Sequence, residues 1–225
     1  MTRVEATARA VVFDLDGTLV DSEPLHERAA RETLLDFGID PPAGVFDEFI
    51  GQRVDELTAQ LAERYDVPAD ELLAGRERRF WSLLGALSPM PGAVPCLDRL
   101  RAQGTVLAVA TSATRPYLDD VLDRFGWRET FVAVVCGDDV TAGKPDPETY
   151  LRVADRLGRA PTGCLVVEDS PRGCAAGVAA GSDVVVVDHA RRPPDVYPGA
   201  RWIVPDLEAA GDLLARKSRR AGAGR

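Results

Sequence analysis

Short apolar runs alternate with amphipathic stretches along most of the chain. Each run after the first is paired with a stretch in which apolar residues recur every three or four positions. This alternation predicts βαβ units, and therefore a parallel sheet covered by helices on both faces. The predicted strands are Ala10 to Phe13, Thr105 to Ala110, Val132 to Val135, Cys164 to Val167 and Val184 to Val187. The predicted helices of these units are Pro95 to Gln103, Arg115 to Phe125, Pro147 to Leu157 and Pro171 to Ala180.

The segment between the first and second predicted strands is too long for a simple crossover. From Asp21 to about Met90 it has helical periodicity without a convincing strand. Its predicted helices are Pro24 to Phe37, Val45 to Phe49, Val54 to Tyr65 and Ala69 to Leu87. We therefore expect a small helical domain, residues 21–90, inserted into a discontinuous core of residues 1–20 and 91–225.

The composition is ordinary for a globular protein, but the charge is strongly acidic. Of the 225 residues, 45% are hydrophobic and 28% are charged, and the net charge is -9. A nucleic-acid partner is not expected, because such binding needs clustered Lys and Arg to neutralise phosphates. The one basic cluster, Arg216 to Arg220, lies in a Gly/Ala-rich tail, and we interpret it as a frayed, solvated terminus.

Neither the cysteines nor the apolar runs indicate a secreted or membrane protein. The four cysteines are widely spaced without a C-x-x-C pair, so we expect reduced, mostly buried thiols and no zinc site. No apolar run approaches the roughly 20 residues of a membrane span, and the N-terminus lacks a signal pattern. We expect a cytoplasmic protein, monomeric or a small homo-oligomer, with no membrane partner.

Polar side chains follow the predicted strands at the points where the strands end. In an open parallel sheet these ends meet at one edge, where ligands bind. The residues are Asp14, Asp16, Thr111, Ser112, Lys144, Glu168 and Asp169. Grouped carboxylates would repel a phosphate unless a hard divalent cation joined them, and Mg²⁺ prefers such oxygen ligands. The pattern therefore indicates magnesium-dependent phosphoryl transfer.

Asp14 and Asp16 are central to this hypothesis. In extended backbone, residues two apart lie on the same side of the chain, so one carboxylate can act as a nucleophile and the other as an acid and base. Taken alone, an acidic pair is common in loops, and Glu168 with Asp169 could be the acid-rich start of a helix. The order and placement of all these segments together favour the catalytic interpretation.

Four segments resemble the motifs of the haloacid dehalogenase superfamily, in its branch of small phosphatases and phosphoglucomutase-like enzymes. They are FDLDGTLVDSE from Phe13 to Glu23, Thr111-Ser112, GKPDP from Gly143 to Pro147, and VEDS from Val167 to Ser170. The resemblance covers roughly Arg9 to Asp188. It implies an α/β fold, with a Rossmann-like parallel-sheet core and an inserted all-helical cap domain. Dehalogenation is not expected, because dehalogenases of this type lack the second aspartate, here Asp16.

The resemblance also implies roles for individual residues. Asp14 would be the nucleophile and Asp16 the general acid and base, while Thr111 and Lys144 would hold the phosphoryl group. Ser112 would lie beside the substrate. The implied Mg²⁺ ligands are Asp14, Asp16 through its backbone carbonyl, Glu168 and Asp169.

Substrate choice is expected to depend on the cap. The β-phosphoglucomutases have a Gly-x-Ser-Arg-type segment there, whereas this chain has Gly51-Gln52-Arg53, with the arginine displaced and no serine. We expect Arg53 to meet the substrate, with Gln52 and Gly51 beside it. His26 falls where those mutases carry a histidine, or is a solvated residue of the first cap helix. Arg76, Arg78 and Arg79 are interpreted as a solvated helix face.

The sequence therefore predicts a Mg²⁺-dependent phosphatase that acts on a small phosphorylated metabolite, such as a sugar or polyol phosphate. A β-phosphoglucomutase-like mutase is the alternative, because it would use the same core residues. A non-enzymatic phospho-acceptor resembling a receiver domain is a more remote alternative. Receivers carry the acceptor after strand three and have no cap, whereas Asp14 follows the first predicted strand.

Overall fold

Six strands form one parallel sheet at the centre of the protein. The computed structural model describes residues 9–49 and 52–218. The strands are β1 (Ala10–Phe13), β2 (Leu107–Ala110), β3 (Ala133–Val135), β4 (Cys164–Glu168), β5 (Asp183–Val187) and β6 (Trp202–Val204). Their order in the sheet is β3-β2-β1-β4-β5-β6. The predicted α/β class is confirmed, and all five predicted strands are present.

The strand register places the carboxyl ends of the central strands side by side. Phe13, the last residue of β1, lies next to Val109 of β2 and Val167 of β4. The residues that follow these three strands therefore meet at one edge of the sheet. This is the edge at which the polar side chains were predicted to gather.

Helices cover both faces of the sheet. They are α4 (Ala93–Ala102), α5 (Arg115–Arg124), α6 (Glu148–Arg156), α7 (Pro171–Ala179) and α8 (Leu207–Lys217). Val11 and Phe13 belong to the apolar cluster that includes residues of α4, α5 and α8. Ala10 and Val12 belong to the opposite cluster, which includes residues of α6 and α7. Both faces are buried, which explains why the strands are continuous apolar runs.

Between β1 and α4, the described residues form three α-helices with an apolar cluster of their own. They are α1 (Glu23–Asp36), α2 (Val54–Tyr65) and α3 (Ala69–Leu83); with their connections we call them the cap. Their cluster contains Leu34, Leu61 and Leu72 among its buried residues. The division into residues 1–20, 21–90 and 91–225 stays a prediction.

Two of the predicted cap helices are shorter than expected. The stretch from Val45 to Phe49 forms only a 3₁₀ turn, Asp47–Phe49, after Gly44, which adopts a positive φ of 77°. The helix predicted to reach Leu87 ends at Leu83 and continues as a 3₁₀ turn, Leu84–Ala86. Glycines in both places weaken a regular helix.

The two ends of the cap lie next to each other. The Asp21 N–H donates to the Ser88 carbonyl at 2.9 Å, and the Met90 N–H donates to the Leu19 carbonyl at 2.9 Å. Val20 and Pro89 form an antiparallel bridge between these hydrogen bonds. The outgoing and returning connections are therefore joined through their backbones.

The C-terminal region differs from the prediction. Two elements were not predicted: β6, which has only three residues, and α8, which buries Leu207 and Leu214 against the core. Arg216 and Lys217 form the last turn of α8, where basic side chains favour the helix dipole. The frayed-terminus interpretation is wrong for these two residues and for the buried Ser218; Arg219 and Arg220 lie outside the described residues.

The cysteines at positions 96, 136, 164 and 174 are buried free thiols, as predicted. Burial raises the pKa of Cys96 to about 12, so this thiol is unreactive near neutral pH. Among the described helices, none combines the length and apolar character required to cross a membrane. The oligomeric state and the cytoplasmic location stay predictions.

Candidate active site

The carboxyl edge of the sheet carries a buried group of charges around Lys144. Asp14 follows β1 directly, and its backbone N–H donates to the Val167 carbonyl at 2.9 Å. The Lys144 ammonium donates to Asp14 Oδ1 at 2.6 Å, to Glu168 Oε1 at 2.5 Å and to the Ala110 carbonyl at 3.2 Å. Lys144 and both carboxylates are buried. These charges are therefore neutralised mainly by one another rather than by water.

The carboxylates of Asp14, Glu168 and Asp169 are close enough to hold one metal ion, since one oxygen of each lies within 4.8 Å of the others. Burial raises the pKa of Asp14 to about 8, because the charge of Lys144 only partly opposes it and Glu168 adds repulsion. Burial, with the charges of Glu168 and Asp14, raises the pKa of Asp169 well above its usual value. A hard divalent cation would relieve this repulsion, and an all-oxygen donor set fits Mg²⁺.

Two glycines leave the space that these carboxylates occupy. Gly17 adopts a positive φ of 75°, and a Cβ at this position would collide with the Asp169 carboxylate. A Cβ on Gly173, in the first turn of α7, would overlap the Glu168 carboxylate. The backbone therefore forms a cradle around the two acidic side chains, which supports their assignment as metal ligands.

The Asp16 carboxylate makes a separate set of contacts. Its Oδ1 accepts hydrogen bonds from Ser22 Oγ at 2.6 Å and from the Tyr117 hydroxyl at 2.9 Å, and it lies 3.9 Å from His26 Nε2. Burial raises the pKa of Asp16, but the donor groups around it, on His26, Ser22 and Tyr117, outweigh burial and hold the pKa below its usual value. Asp16 is therefore an anion in the free protein, next to the first helix of the cap.

His26 is fixed by contacts on both sides of its ring. The ring stacks on Phe80 at a centroid distance of 4.1 Å, and Nδ1 lies 2.9 Å from Arg76 Nη2. Because a guanidinium can only donate, Nδ1 must accept, and the proton of the neutral imidazole lies on Nε2. Burial lowers the pKa of His26, which favours this neutral form. The Nε2–H therefore faces Asp16, and the solvated alternative for His26 is not supported.

Arg76 is buried in the site, and its interpretation as part of a solvated face is wrong. Its side chain is 3% exposed, and its Nε has no hydrogen-bond partner within the described part of the chain. Burial lowers the pKa of Arg76 to about 10, so the side chain is still charged at neutral pH. Arg76 lies one turn from both Leu72 and Phe80, which are buried, and this spacing is the signal that separates it from the exposed Arg78.

A cavity between the core and the cap contains most of the predicted site residues. Its lining includes Asp14, Asp16, Thr111, Ser112 and Lys144 from the core, and Glu23, His26, Gln52 and Arg76 from the cap. Glu168 and Asp169 lie behind Asp14, in the buried carboxylate group. Glu23 and Arg76 were not among the predicted site residues, although Glu23 lies within the quoted first motif.

Arg53 does not line this cavity. Its guanidinium donates to the Asp55 carboxylate at 3.1 and 3.3 Å and to the Gly137 carbonyl at 3.4 Å. The structure therefore places Arg53 at the junction of cap and core, where it contacts backbone and a neighbouring side chain. Gly51, predicted to lie beside it, is outside the described residues.

We expect Glu23→Gln to remove a pH-dependent loss of stability. Burial and the charge of Asp16 raise the pKa of Glu23 from 4.5 to about 7, although Arg76 opposes them. Between these two values the folded protein binds more protons than the unfolded chain, so stability falls as pH rises through this interval. For this partly exposed group the loss is on the order of 1–2 kcal/mol.

Urea unfolding of wild type and Glu23→Gln at about pH 5 and about pH 8, without metal, measures this difference. Glu27→Gln, an exposed position one turn further along α1, is the matched control. If the wild type and Glu23→Gln differ by the same amount at both pH values, Glu23 does not titrate in this interval.

Known proteins resemble this chain in sequence and in fold. The sequence model of haloacid dehalogenase-like hydrolases matches residues 8–181. Protein CbbY of Rhodobacter capsulatus is 32% identical over 215 residues, covering 90% of this chain and 95% of that protein. Fructose-1-phosphate phosphatase YqaB of Escherichia coli is 32% identical over 182 residues, covering 79% of this chain and 95% of that protein. The crystal structure of a candidate β-phosphoglucomutase from Thermotoga maritima has a TM-score of 0.77 and 28% identity, and the match covers 92% of this chain and 99% of that protein.

The parallel sheet, the helices after β1 and the acidic edge define an α/β enzyme with its polar site at the strand ends. The chain belongs to the haloacid dehalogenase-like hydrolase family, which confirms the resemblance read from its motifs. Because the protein is an enzyme of this family, the receiver-like alternative is set aside. The roles of individual site residues stay predictions.

Proposed function

We propose that the protein is a Mg²⁺-dependent phosphatase that hydrolyses a small sugar or polyol phosphate through a phosphoryl intermediate on Asp14. The observation that carries this proposal is the contact of Lys144 with both Asp14 and Glu168, next to Asp169 and open to the cavity under the cap. Such a site offers a nucleophilic oxygen together with positive charge for the phosphoryl oxygens. These are the two requirements of phosphoryl transfer.

In the first step an Asp14 oxygen attacks phosphorus, and the bond from phosphorus to the sugar oxygen breaks. Asp16 gives a proton to that leaving oxygen. Asp16 is an anion in the free protein, but the negative charge of a bound phosphate raises its pKa and favours the protonated form. Thr111 Oγ1 already accepts the Ala113 N–H at 3.0 Å, so its own O–H is available for a phosphoryl oxygen.

In the second step a water molecule attacks phosphorus and gives a proton to Asp16. The bond from phosphorus to Asp14 breaks, inorganic phosphate leaves, and both carboxylates return to their starting state. Asp14, Glu168 and Asp169 would hold the Mg²⁺, with the Asp16 backbone carbonyl as the fourth protein ligand implied by the family. When bound, Mg²⁺ supplies the positive charge that keeps the carboxylates ionised and neutralises the phosphoryl oxygens.

The cap side of the cavity supports a polar, hydroxyl-bearing substrate. Glu23, Gln52 and Arg76 offer acceptors and donors for hydroxyl groups, whereas Phe80 and Trp81 offer apolar surface for carbon-bound hydrogens. The relative YqaB is a fructose-1-phosphate phosphatase by name. A sugar or polyol phosphate therefore fits both the lining and the relatives.

We expect Arg76→Gln to weaken use of substrates that carry a second anionic group. Arg76 is a buried cation that forms no salt bridge among the described residues, although the charges of Glu23, Glu77 and Asp16 act on it and raise its pKa. A second phosphate or a carboxylate on the substrate would pair with it. Losing such a charge-assisted contact lowers kcat/KM by about 10- to 100-fold.

Kinetics with a sugar bisphosphate and the matching monophosphate measure this effect. The bisphosphate should lose much more than the monophosphate in Arg76→Gln, and Arg78→Gln, at an exposed position of the same helix, should match wild type. Equal losses of kcat/KM for both substrates would show that Arg76 acts only by holding His26, and not by pairing with a second anionic group.

A phosphorylated-metabolite screen with added Mg²⁺ tests the proposed function. Release of inorganic phosphate from sugar or polyol phosphates is expected, and no release from any member would overturn the proposal. The mutase alternative is favoured by one observation: the His26 ring lies between the Arg76 guanidinium, at 2.9 Å, and the Asp16 carboxylate, at 3.9 Å. With β-glucose 1-phosphate, formation of glucose 6-phosphate without phosphate release would establish the mutase instead.

A further inference from the structure

Arg172 links the cap to the backbone of Lys144. It is the second residue of α7, and its Nη2 donates to the Lys144 carbonyl at 2.5 Å and to Glu56 Oε2 at 2.9 Å. Glu56 lies in the first turn of α2. A single guanidinium nitrogen therefore joins a cap helix to the residue whose ammonium binds Asp14.

The start of α2 packs closely on the loop that carries Lys144. A Cβ on Gly143 would lie 2.8 Å from Arg53 Cδ and 3.7 Å from Glu56 Oε1, so glycine allows this approach. Arg53 also donates to the Gly137 carbonyl at 3.4 Å. The Glu56–Arg172 pair is therefore the charged part of a wider contact between α2 and two loops of the core.

The Arg172 guanidinium has few other constraints. Its Nε is buried without a hydrogen-bond partner in the described ranges, so the bonds of Nη2 determine where the group lies. The side chains of Arg172 and Glu56 are 33% and 39% exposed. An ion pair this exposed contributes little to global stability. Its consequence is local, at the Lys144 carbonyl.

We propose that Arg172 is a positioning residue that couples the position of α2 to the position of Lys144. With Glu56 in place, Nη2 is held between two acceptors, and the Lys144 backbone stays where its ammonium reaches Asp14 and Glu168. When α2 moves away, Nη2 loses one acceptor and the guanidinium can leave the Lys144 carbonyl. The catalytic lysine is then fully held only while the cap covers the site and excludes water. This role rests on the proposed function, in which Lys144 holds the phosphoryl group.

Hydrogen exchange measured by mass spectrometry tests this coupling without a substrate. Glu56→Gln keeps the size of the side chain and removes its charge, and Arg172→Gln removes both contacts. In the peptide covering residues 140–147, exchange should rise about two- to fivefold in Glu56→Gln, the factor expected for an exposed ion pair. When Glu56→Gln and Arg172→Gln are combined, the exchange rate of this peptide should not exceed the rate in Arg172→Gln alone. Asp120→Asn, in the similarly exposed Asp120–Arg124 pair of α5, should match wild type.

The proposal is overturned if Glu56→Gln exchanges at the wild-type rate in this peptide, or if the two single effects add in the double variant. Because exchange needs no turnover, this result stands whether or not the protein proves to be a phosphatase. With a hydrolysed substrate, Glu56→Gln and Arg172→Gln should each lower kcat, with KM nearly unchanged. If Arg172→Gln lowers kcat and Glu56→Gln does not, Arg172 only supports the loop that carries Lys144. That result would also overturn the coupling to α2.

Discussion

Asp14→Asn should reduce turnover by about four to six orders of magnitude, the loss expected when a covalent nucleophile is removed. The amide nitrogen and oxygen are poor nucleophiles, although they fill the same volume beside Lys144. The variant should also form no phosphorylated protein when it is mixed with substrate and quenched in acid. Phosphate release and intact-protein mass measure the two effects.

Asp183→Asn is the matched control for Asp14→Asn. Asp183 begins β5, at the opposite edge of the sheet, and its carboxylate pairs with Arg9. This variant should keep wild-type turnover and should still become phosphorylated. Wild-type turnover in Asp14→Asn would exclude the proposed intermediate, whatever the substrate proves to be.

Asp169→Asn should abolish Mg²⁺-dependent turnover and weaken Mg²⁺ binding, while making the metal-free protein more stable. Its carboxylate is buried beside those of Asp14 and Glu168, and Lys144 bonds to those two carboxylates but not to Asp169. Burial and these neighbours raise the pKa of Asp169 well above its usual value, so in the wild type stability falls as pH rises above the ordinary range of an aspartate. An amide removes that like-charge repulsion.

Thermal unfolding with and without Mg²⁺ measures both effects of Asp169→Asn. Without metal, the melting temperature should exceed that of the wild type at about pH 8, by roughly 2–4 °C for each kcal/mol gained. The difference should shrink towards about pH 4, where the wild-type carboxylate is protonated. Added Mg²⁺ should raise the melting temperature of the wild type much more than that of the variant. An equal Mg²⁺ response in the two proteins would contradict the assignment of Asp169 as a ligand.

The core part of the candidate site could be predicted from the sequence because strand ends are easy to locate. Apolar runs identified β1, β2 and β4, and a parallel sheet places their carboxyl ends together. Asp14 and Glu168 therefore meet as expected, and Lys144, in the loop after β3, bonds to both. The pKa values of these groups could not be predicted, because they depend on how deeply each side chain is buried.

The cap residues were harder to predict, for a geometric reason. Which side of a cap helix faces the core depends on how the cap lies on the sheet. Arg53 was expected in the cavity but contacts Asp55 and Gly137, whereas Arg76 was expected in solvent but lies beside His26. Helical spacing alone indicates that Arg76 shares a face with Leu72 and Phe80, but not that this face meets a catalytic site.

The paired backbone connections at Leu19 to Asp21 and Ser88 to Met90 allow the cap to be replaced as one unit. Its two ends leave and rejoin the core at adjacent points, so a different helical segment can be grafted there without changing the order of the strands. Asp14, Lys144, Glu168 and Asp169 all lie outside the exchanged segment. A new recognition surface can therefore be combined with an unchanged reaction centre, and families built in this way can diversify their substrates by replacing one contiguous piece of sequence.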